Sequence, residues 1–392
     1  MGELAYVLVN PHTIYKSRTG GVLGRLLSRS ATIRIAGVRM FAPSAALVNE
    51  YAAALAEEHS DAPDAQEVDR LIHEYVLNHY MPGPDGRRKR VMFFLLEGDD
   101  VVRRIRREVV GSIIRQTIGE TIRDTYGDYI KDKQGSVVYF EPAVLIGSSP
   151  AAARKHIDIW MKHSAEDSGI LYDVLPRDPA ANVQNTLVMI KPDSLAESRT
   201  RAGTVIDLFS KTGLCIIGIK MIRISVAQAM EFYGPVRDVF VRKFVDRVRE
   251  KSAAALRAAF EFPIPDALAA AVADQLKEAN ADHEFGKIVQ FMTGRNPWQT
   301  PREQWNEPGT ESCLALVYQG VDAVAKIREQ LGSTDPRNAA PATVRKEFGR
   351  DVMVNTAHAS DSPESAVREI RILDLERNDL PGIVERNDGY SG

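Results

Sequence analysis

Five side chains in the second half of the chain have types and spacing suited to an anion. Lys191 closes a short apolar run, and Arg328 sits where apolar residues recur at helical spacing. Thr334 and Arg345 fall in the loop that follows, and His358 lies in NTAHASDSPES, between a strand pattern and a capped helix. Arginines hold phosphate oxygens through forked, charge-assisted hydrogen bonds, threonine adds a neutral donor, and lysine supplies a point charge. A histidine at such a junction projects from a rigid scaffold, and its neutral imidazole is a nucleophile. Singly, each cation reads as a solvated surface charge and the histidine as a capping residue. Together they point to phosphoryl transfer, in which positioning and charge neutralisation supply most of the catalysis. The sequence has no GxxxxGK(S/T) loop and no kinase glycine-rich loop, which argues against the common nucleotide-binding folds.

The elements that must position these residues occur twice. YVLVNPHTIYKSRTGG from Tyr6 answers LVMIKPDSLAESRTRAG from Leu187, and Pro11 and Pro192 differ by 181, as do Arg18 and Arg199. Gly37-Val38-Arg39-Met40 and Gly218-Ile219-Lys220-Met221 keep that offset. VMFFLLEGDD from Val91 answers CLALVYQGVD from Cys313, Arg123 answers Arg345, and Ser149-Pro150 and Ser362-Pro363 each open a helix with an N-cap serine and a first-turn proline. A duplicated domain is the reading, with copies over 1–170 and 186–376, a proline-bearing linker over 171–185 and a tail over 377–392. In each copy strand-length apolar runs alternate with helical spacing, and a last short strand is predicted near Val352, Met353 and Val354. That order predicts an α/β (α+β) protein of two ferredoxin-like domains, each an antiparallel sheet with helices. Insertions near 241–283 and 294–311 lengthen the second copy. The first gains DYIKDKQGSVVYFEP, which reads as an added hairpin.

Composition bounds the rest. With 392 residues, 44% hydrophobic and 26% charged, the chain is neither disordered nor membrane-embedded by composition. Lys+Arg 50 against Asp+Glu 53 gives a net charge of -3, which advertises no specific nucleic acid and no membrane. Cys215 and Cys313 cannot form a disulfide framework or a zinc site by spacing, and buried thiols in a reducing, cytoplasmic protein are expected.

LVMIKPDSL, LALVYQGVDAVAKIREQLGSTDPRNAAPATVRKEFGRDV and NTAHASDSPESAVREI resemble the nucleoside diphosphate kinase family, in order and across most of the second copy. The resemblance implies a ping-pong enzyme that takes the γ-phosphoryl of ATP or another nucleoside triphosphate onto histidine and passes it to a nucleoside diphosphate. His358 would be phosphorylated, with Ser360 and Glu369 orienting its ring. Arg328, Thr334 and Arg345 would clamp phosphates, at spacings of 6, 11 and 13 residues up to His358. Lys191 and Asn355 would bind sugar hydroxyls, Lys191 also lying near the transferred phosphate, and Tyr233 would hydrogen-bond near the nucleophile. Mg2+ would travel with the nucleotide, with no protein metal site. Val352 and an aromatic side chain would sandwich the base, Phe285 being the candidate and Phe240 its rival.

Two departures from the family pattern stand in this copy: Ser194 and Ala359 replace glycines. The first copy departs further, with Leu145 aligned to His358 and Asn10 to Lys191, although Arg123 and an arginine among residues 103–107 remain. It reads as a degenerate, structural or regulatory domain in an internal pseudo-dimer, with further homo-oligomer assembly left open. The competing reading is a catalytically weak nucleotide-binding scaffold or regulatory protein.

Overall fold

The computed structural model describes residues 2–28, 33–58, 63–114, 119–173, 181–196 and 200–388. Ser198, Arg199 and residues 174–180 of the linker lie outside them. The chain divides into two compact units, residues 1–221 with 314–392, and residues 222–313.

The larger unit holds two four-stranded sheets built the same way. Strands β1 (Glu3–Val9), β2 (Arg34–Phe41), β3 (Val91–Gly98) and β6 (Val144–Leu145) form the first, in the order β2-β3-β1-β6. The inserted segment forms a two-stranded hairpin of β4 (Asp128–Lys131) and β5 (Val137–Glu141), as expected. Strands β7 (Val183–Ile190), β8 (Cys215–Ile222), β9 (Cys313–Val321) and β10 (Ala357–Ala359) form the second sheet, in the order β8-β9-β7-β10. The two orders are the same, the central strands pair antiparallel, and each copy is a ferredoxin-like domain. Central strands buried on both faces explain the near-continuous apolar runs: Ala5 to Val9 and Leu187 to Ile190 are all buried.

Register establishes equivalence residue by residue. Leu8 pairs with Phe93 and Leu145, and Met189, 181 residues on, pairs with Ala315 and His358. Leu145 therefore stands where His358 stands. The amide of Asn10 donates to Ala143 O at 3.1 Å and that of Lys191 to Thr356 O at 2.9 Å, the same bond in each copy. One difference was not legible in the repeat. The helix after β3 carries one more residue than its counterpart Ala323–Leu331, and a π-helical turn over Ile105–Val110 absorbs the excess.

Equivalent helices Thr19–Ser28 and Arg201–Ser210 pack against each other where glycines let the backbones approach. A Cβ on Gly203 would lie 2.4 Å from Gly20 O and 2.7 Å from Gly24 Cα. The chain leaving helix Pro150–Asp167 then bonds to both edge strands, Gly169 N–H to Met40 O at 3.0 Å and Leu171 N–H to Ile217 O at 2.9 Å.

The last strand is a correction. Val352, Met353 and Val354 are not a strand, because the Asp351 carboxylate accepts the amides of Met353 and Val354, both at 2.8 Å, and folds the segment into a turn. The strand begins at Ala357 and contains His358 itself, rather than ending before it.

The smaller unit is helical. Helix Val226–Lys243 starts on a Ser225 and Gln228 capping box, and Val245–Ala259 and Asp266–Thr293 follow. The longest helix stops at Gly294, which is left-handed at φ 75°. The tryptophan-bearing segment beyond it is ordered: Trp298 Nε1 donates to Asp282 O at 3.2 Å, and Arg302 stacks 3.7 Å from the Trp305 ring centroid.

Candidate active site

His358 is set on a three-residue edge strand whose partner β7 is buried, so its backbone is fixed from one side. Thr356, just before the strand, is buried with φ 75°. The equivalent Ala143 has φ 59°, so this left-handed residue belongs to the fold rather than to the histidine. Ala359 has no positive φ and sits in extended backbone, where alanine costs nothing; Ser194 is likewise outside that region and is accommodated fully buried.

The ring is oriented by one carboxylate. Glu369 Oε2 lies 2.9 Å from His358 Nε2 and accepts the Ser360 hydroxyl at 2.7 Å. A carboxylate only accepts, so Nε2 carries the proton and the ring lone pair is left on Nδ1. Glu369 comes from helix Pro363–Ile372, begun by Ser362 Oγ accepting Ser365 N–H at 3.1 Å, with Pro363 in the first turn. The His358 side chain is 22% exposed while that of Glu369 is 5%, an arrangement in which the nucleophile reaches solvent and its orienting partner does not. Two neighbours were missed from sequence. Arg368 Nη2 approaches Glu369 Oε1 at 3.5 Å, and Asp361 is held below the usual carboxylate range by the Ser365 hydroxyl first, then by other groups including Arg328 and His358.

The cationic residues are brought together through the loop between Gly332 and Asn355. Lys191 Nζ donates to Asn355 Oδ1 at 2.6 Å and to Met353 O at 3.2 Å. Asn355 Nδ2 donates to Thr334 O at 3.0 Å and Val352 O at 2.9 Å, so the buried amide braces the loop with both its donors. Arg345 donates to Gly332 O at 3.2 Å, to Thr334 Oγ1 at 3.4 Å and to Ala357 O at 3.0 Å. Val352 is 59% exposed on this loop.

The first copy keeps part of this frame and fills the rest. Arg123 bonds to Gly111 O at 3.4 Å and Val144 O at 3.2 Å, the counterparts of the Arg345 carbonyls. Burial, with Arg106 nearby, lowers its guanidinium to about 10. We expect Arg123→Met to cost about 2 kcal/mol, because two carbonyls lose a charged donor; urea unfolding midpoints measure it. Asn10, in the place of Lys191, is buried in a chain of bonds with Tyr80 (2.7 Å), Glu141 (3.1 Å) and, through Glu141, Tyr75 (2.6 Å). His156 stands where Glu369 does, enclosed by Tyr6 at 2.8 Å and Glu58 at 2.9 Å.

Two expected site residues lie in the helical unit. Tyr233 is buried beside Phe232, with ring centroids 4.8 Å apart. Phe285 is 1% exposed within helix Asp266–Thr293 and presents no face to a base; its sequence context gave no sign that the insertion builds its own core. Phe240 packs 5.0 Å from Phe244. Among the described residues no group of three or more His, Cys, Asp or Glu could hold a metal ion, and no helix is long and apolar enough to cross a membrane.

The one comparison that assigns residues falls on the copy that carries His358. The family model for nucleoside diphosphate kinase matches residues 184–259 and 306–377, omitting most of the helical insertion. A nucleoside diphosphate kinase of Cereibacter sphaeroides is 30% identical over 188 residues, 48% of this chain and 91% of that protein. One from Bacillus licheniformis is 29% identical over 191 residues, 49% of this chain and 88% of that protein. A solved nucleoside diphosphate kinase of Aquifex aeolicus is 28% identical and matches over 50% of this chain and 99% of its own, with a TM-score of 0.32. With nine tenths of a relative spanned at that identity, and the matched segments carrying the histidine, its carboxylate and the cationic loop, the chain belongs to the nucleoside diphosphate kinase family.

Proposed function

We propose that this protein is a nucleoside diphosphate kinase that works through a phosphohistidine on His358, with residues 186–376 catalytic and residues 1–170 a non-catalytic scaffold. The observation that carries the reading is the pairing of His358 Nε2 with Glu369, which leaves the Nδ1 lone pair for attack, in the one copy that also has the cationic loop. Nδ1 attacks the γ-phosphorus, the bond from that phosphorus to the β–γ bridging oxygen breaks, and the nucleoside diphosphate leaves with the electron pair. An acceptor diphosphate then reverses the step. Arg328, Arg345 and Lys191 neutralise charge as it spreads over the phosphoryl oxygens, and Thr334 adds a neutral donor. Arg345 does this while also tying the loop to the strand, and Asn355 contributes by fixing Lys191. Ser360 and Glu369 hold the ring. Val352 covers one face of the base.

Mg2+ would be carried with the nucleotide, as the resemblance implies. Bound there, it would add charge neutralisation to that of the arginines. Substrates are nucleoside di- and triphosphates, and the two free cysteines fit a reducing compartment such as the cytoplasm. Incubation with ATP, GDP and Mg2+ should yield GTP and an acid-labile phosphoenzyme, and chelation of the metal should stop exchange. Binding of ADP with no exchange would favour the scaffold reading instead.

A further inference from the structure

Arg39 on β2 of the first copy and Lys220 on β8 of the second are equivalent by the offset of 181 and are buried, at 4% and 8% exposure. Both grip one stretch of backbone, residues 374–379, just past helix Pro363–Ile372. Arg39 donates to Arg377 O at 2.8 Å, Glu376 O at 2.6 Å and Leu375 O at 3.5 Å, and its Nε to Ser168 Oγ at 2.8 Å. Lys220 donates to Asp374 O at 2.8 Å and Arg377 O at 2.9 Å, and pairs with Asp379 at 2.8 Å. Arg39 thus spends a buried charge on neutral carbonyls and a hydroxyl. That delivers geometry more than charge pairing.

The gripped backbone is bonded straight back into the helix. Asp374, left-handed at φ 50°, donates its amide to Arg371 O at 3.1 Å, Leu375 N–H reaches Ile370 O at 3.2 Å, and Leu373 N–H reaches Glu369 O at 3.0 Å. Glu369 is therefore in the turn that the grip anchors, and its carboxylate is the one that orients the nucleophile.

We propose that Arg39, supplied by the copy that has Leu145 in the place of His358, is a positioning residue for His358, acting through the end of helix Pro363–Ile372 and the Glu369 carboxylate. This rests on His358 being the phosphoryl carrier. Lys191 is held by Asn355 and Met353 O, and Arg345 by Gly332 O, Thr334 and Ala357 O, all upstream of the gripped stretch, so nucleotide binding should be insensitive to the grip while the chemical step is not. Displacement of a reacting group by about 1 Å can cost roughly 100-fold in rate.

The test is single-turnover phosphorylation by ATP, with steady-state kcat and KM, on the full chain carrying Arg39→Met, Arg39→Lys or Arg88→Met. Arg88 serves as control because its bonds go to Asp167, beside Ser168, and to Ala42 O, both in the first copy rather than in the gripped stretch. Arg39→Met should slow phosphoenzyme formation about 10- to 100-fold with KM within about twofold, Arg39→Lys should recover part of the rate, and Arg88→Met should keep it. If Arg39→Met does not fold, Arg39→Gln, which keeps two donors, takes its place with the same expectation. A wild-type rate in the folded variant, or an equal loss in Arg88→Met, overturns the proposal. Failure of the wild-type chain to form any phosphoenzyme would instead strike the functional reading on which it rests.

Discussion

His358→Ala is expected to lower nucleoside diphosphate kinase turnover by roughly 10⁴-fold or more, the scale seen when a covalent nucleophile is removed, and to eliminate the phosphoenzyme. Neither first-copy candidate can stand in. Leu145, at the same register position of the first sheet, has no nucleophilic atom. His156, at the repeat position of Glu369, is fully buried, with Tyr6 2.8 Å from one ring nitrogen and Glu58 2.9 Å from the other. His156→Ala should therefore leave the phosphoenzyme intact per folded molecule, although it breaks a buried network and should reduce stability. Coupled assays of ATP and GDP exchange on both variants, normalised to folded protein, separate the two histidines.

Gly203→Leu is expected to have the largest effect on stability. A side chain there meets backbone, not a flexible tip: Gly20 O at 2.4 Å, Gly24 N at 2.5 Å and Gly24 Cα at 2.7 Å. Helices Thr19–Ser28 and Arg201–Ser210 would have to separate, opening the apolar contact in which Val22, Val205 and Ile206 are buried. Overpacking of this kind costs about 3 kcal/mol or more, enough to consume a large part of a typical folding free energy of ~5–15 kcal/mol. The loss should appear as a lower urea midpoint. Gly213→Ala is the useful contrast: no atom lies within 4 Å of the added Cβ, and its φ of 70° leaves only local backbone strain, so about 1 kcal/mol is expected.

The duplication was legible because strand pairing preserves spacing. The offset of 181 between β1 and β7 survives because each central strand is held in register between two neighbours, and Ser149-Pro150 aligns with Ser362-Pro363 because each pair caps and opens the same helix. The cationic loop and the histidine were legible by residue type. Four things were not. The VMV run at Val352 has strand-forming side chains, but Asp351 bonds its amides into a turn, and a local side-chain bond outweighs propensity there. Asn355 reads as a ligand-binding amide, yet its donors go to Thr334 O and Val352 O, a distribution that depends on a loop closed in three dimensions. Phe285 sits in a segment whose surroundings are set by inserted helices, so its burial could not be read from a pattern shared with relatives. The grip of Arg39 on residues 375–377 spans more than 330 positions and leaves no trace in local periodicity.

The central claim is that one copy carries the phosphoryl group on one histidine, and locating that group tests it most directly. The full chain should be mixed with γ-labelled ATP and Mg2+, quenched in base, digested and mapped by peptide mass. The account predicts one labelled site, His358, on the peptide carrying Ala359 and Ser360, with label released by acid and chased onto added GDP. Label on any first-copy peptide, acid-stable label, or exchange of ATP with GDP in the absence of any labelled His358 would contradict it.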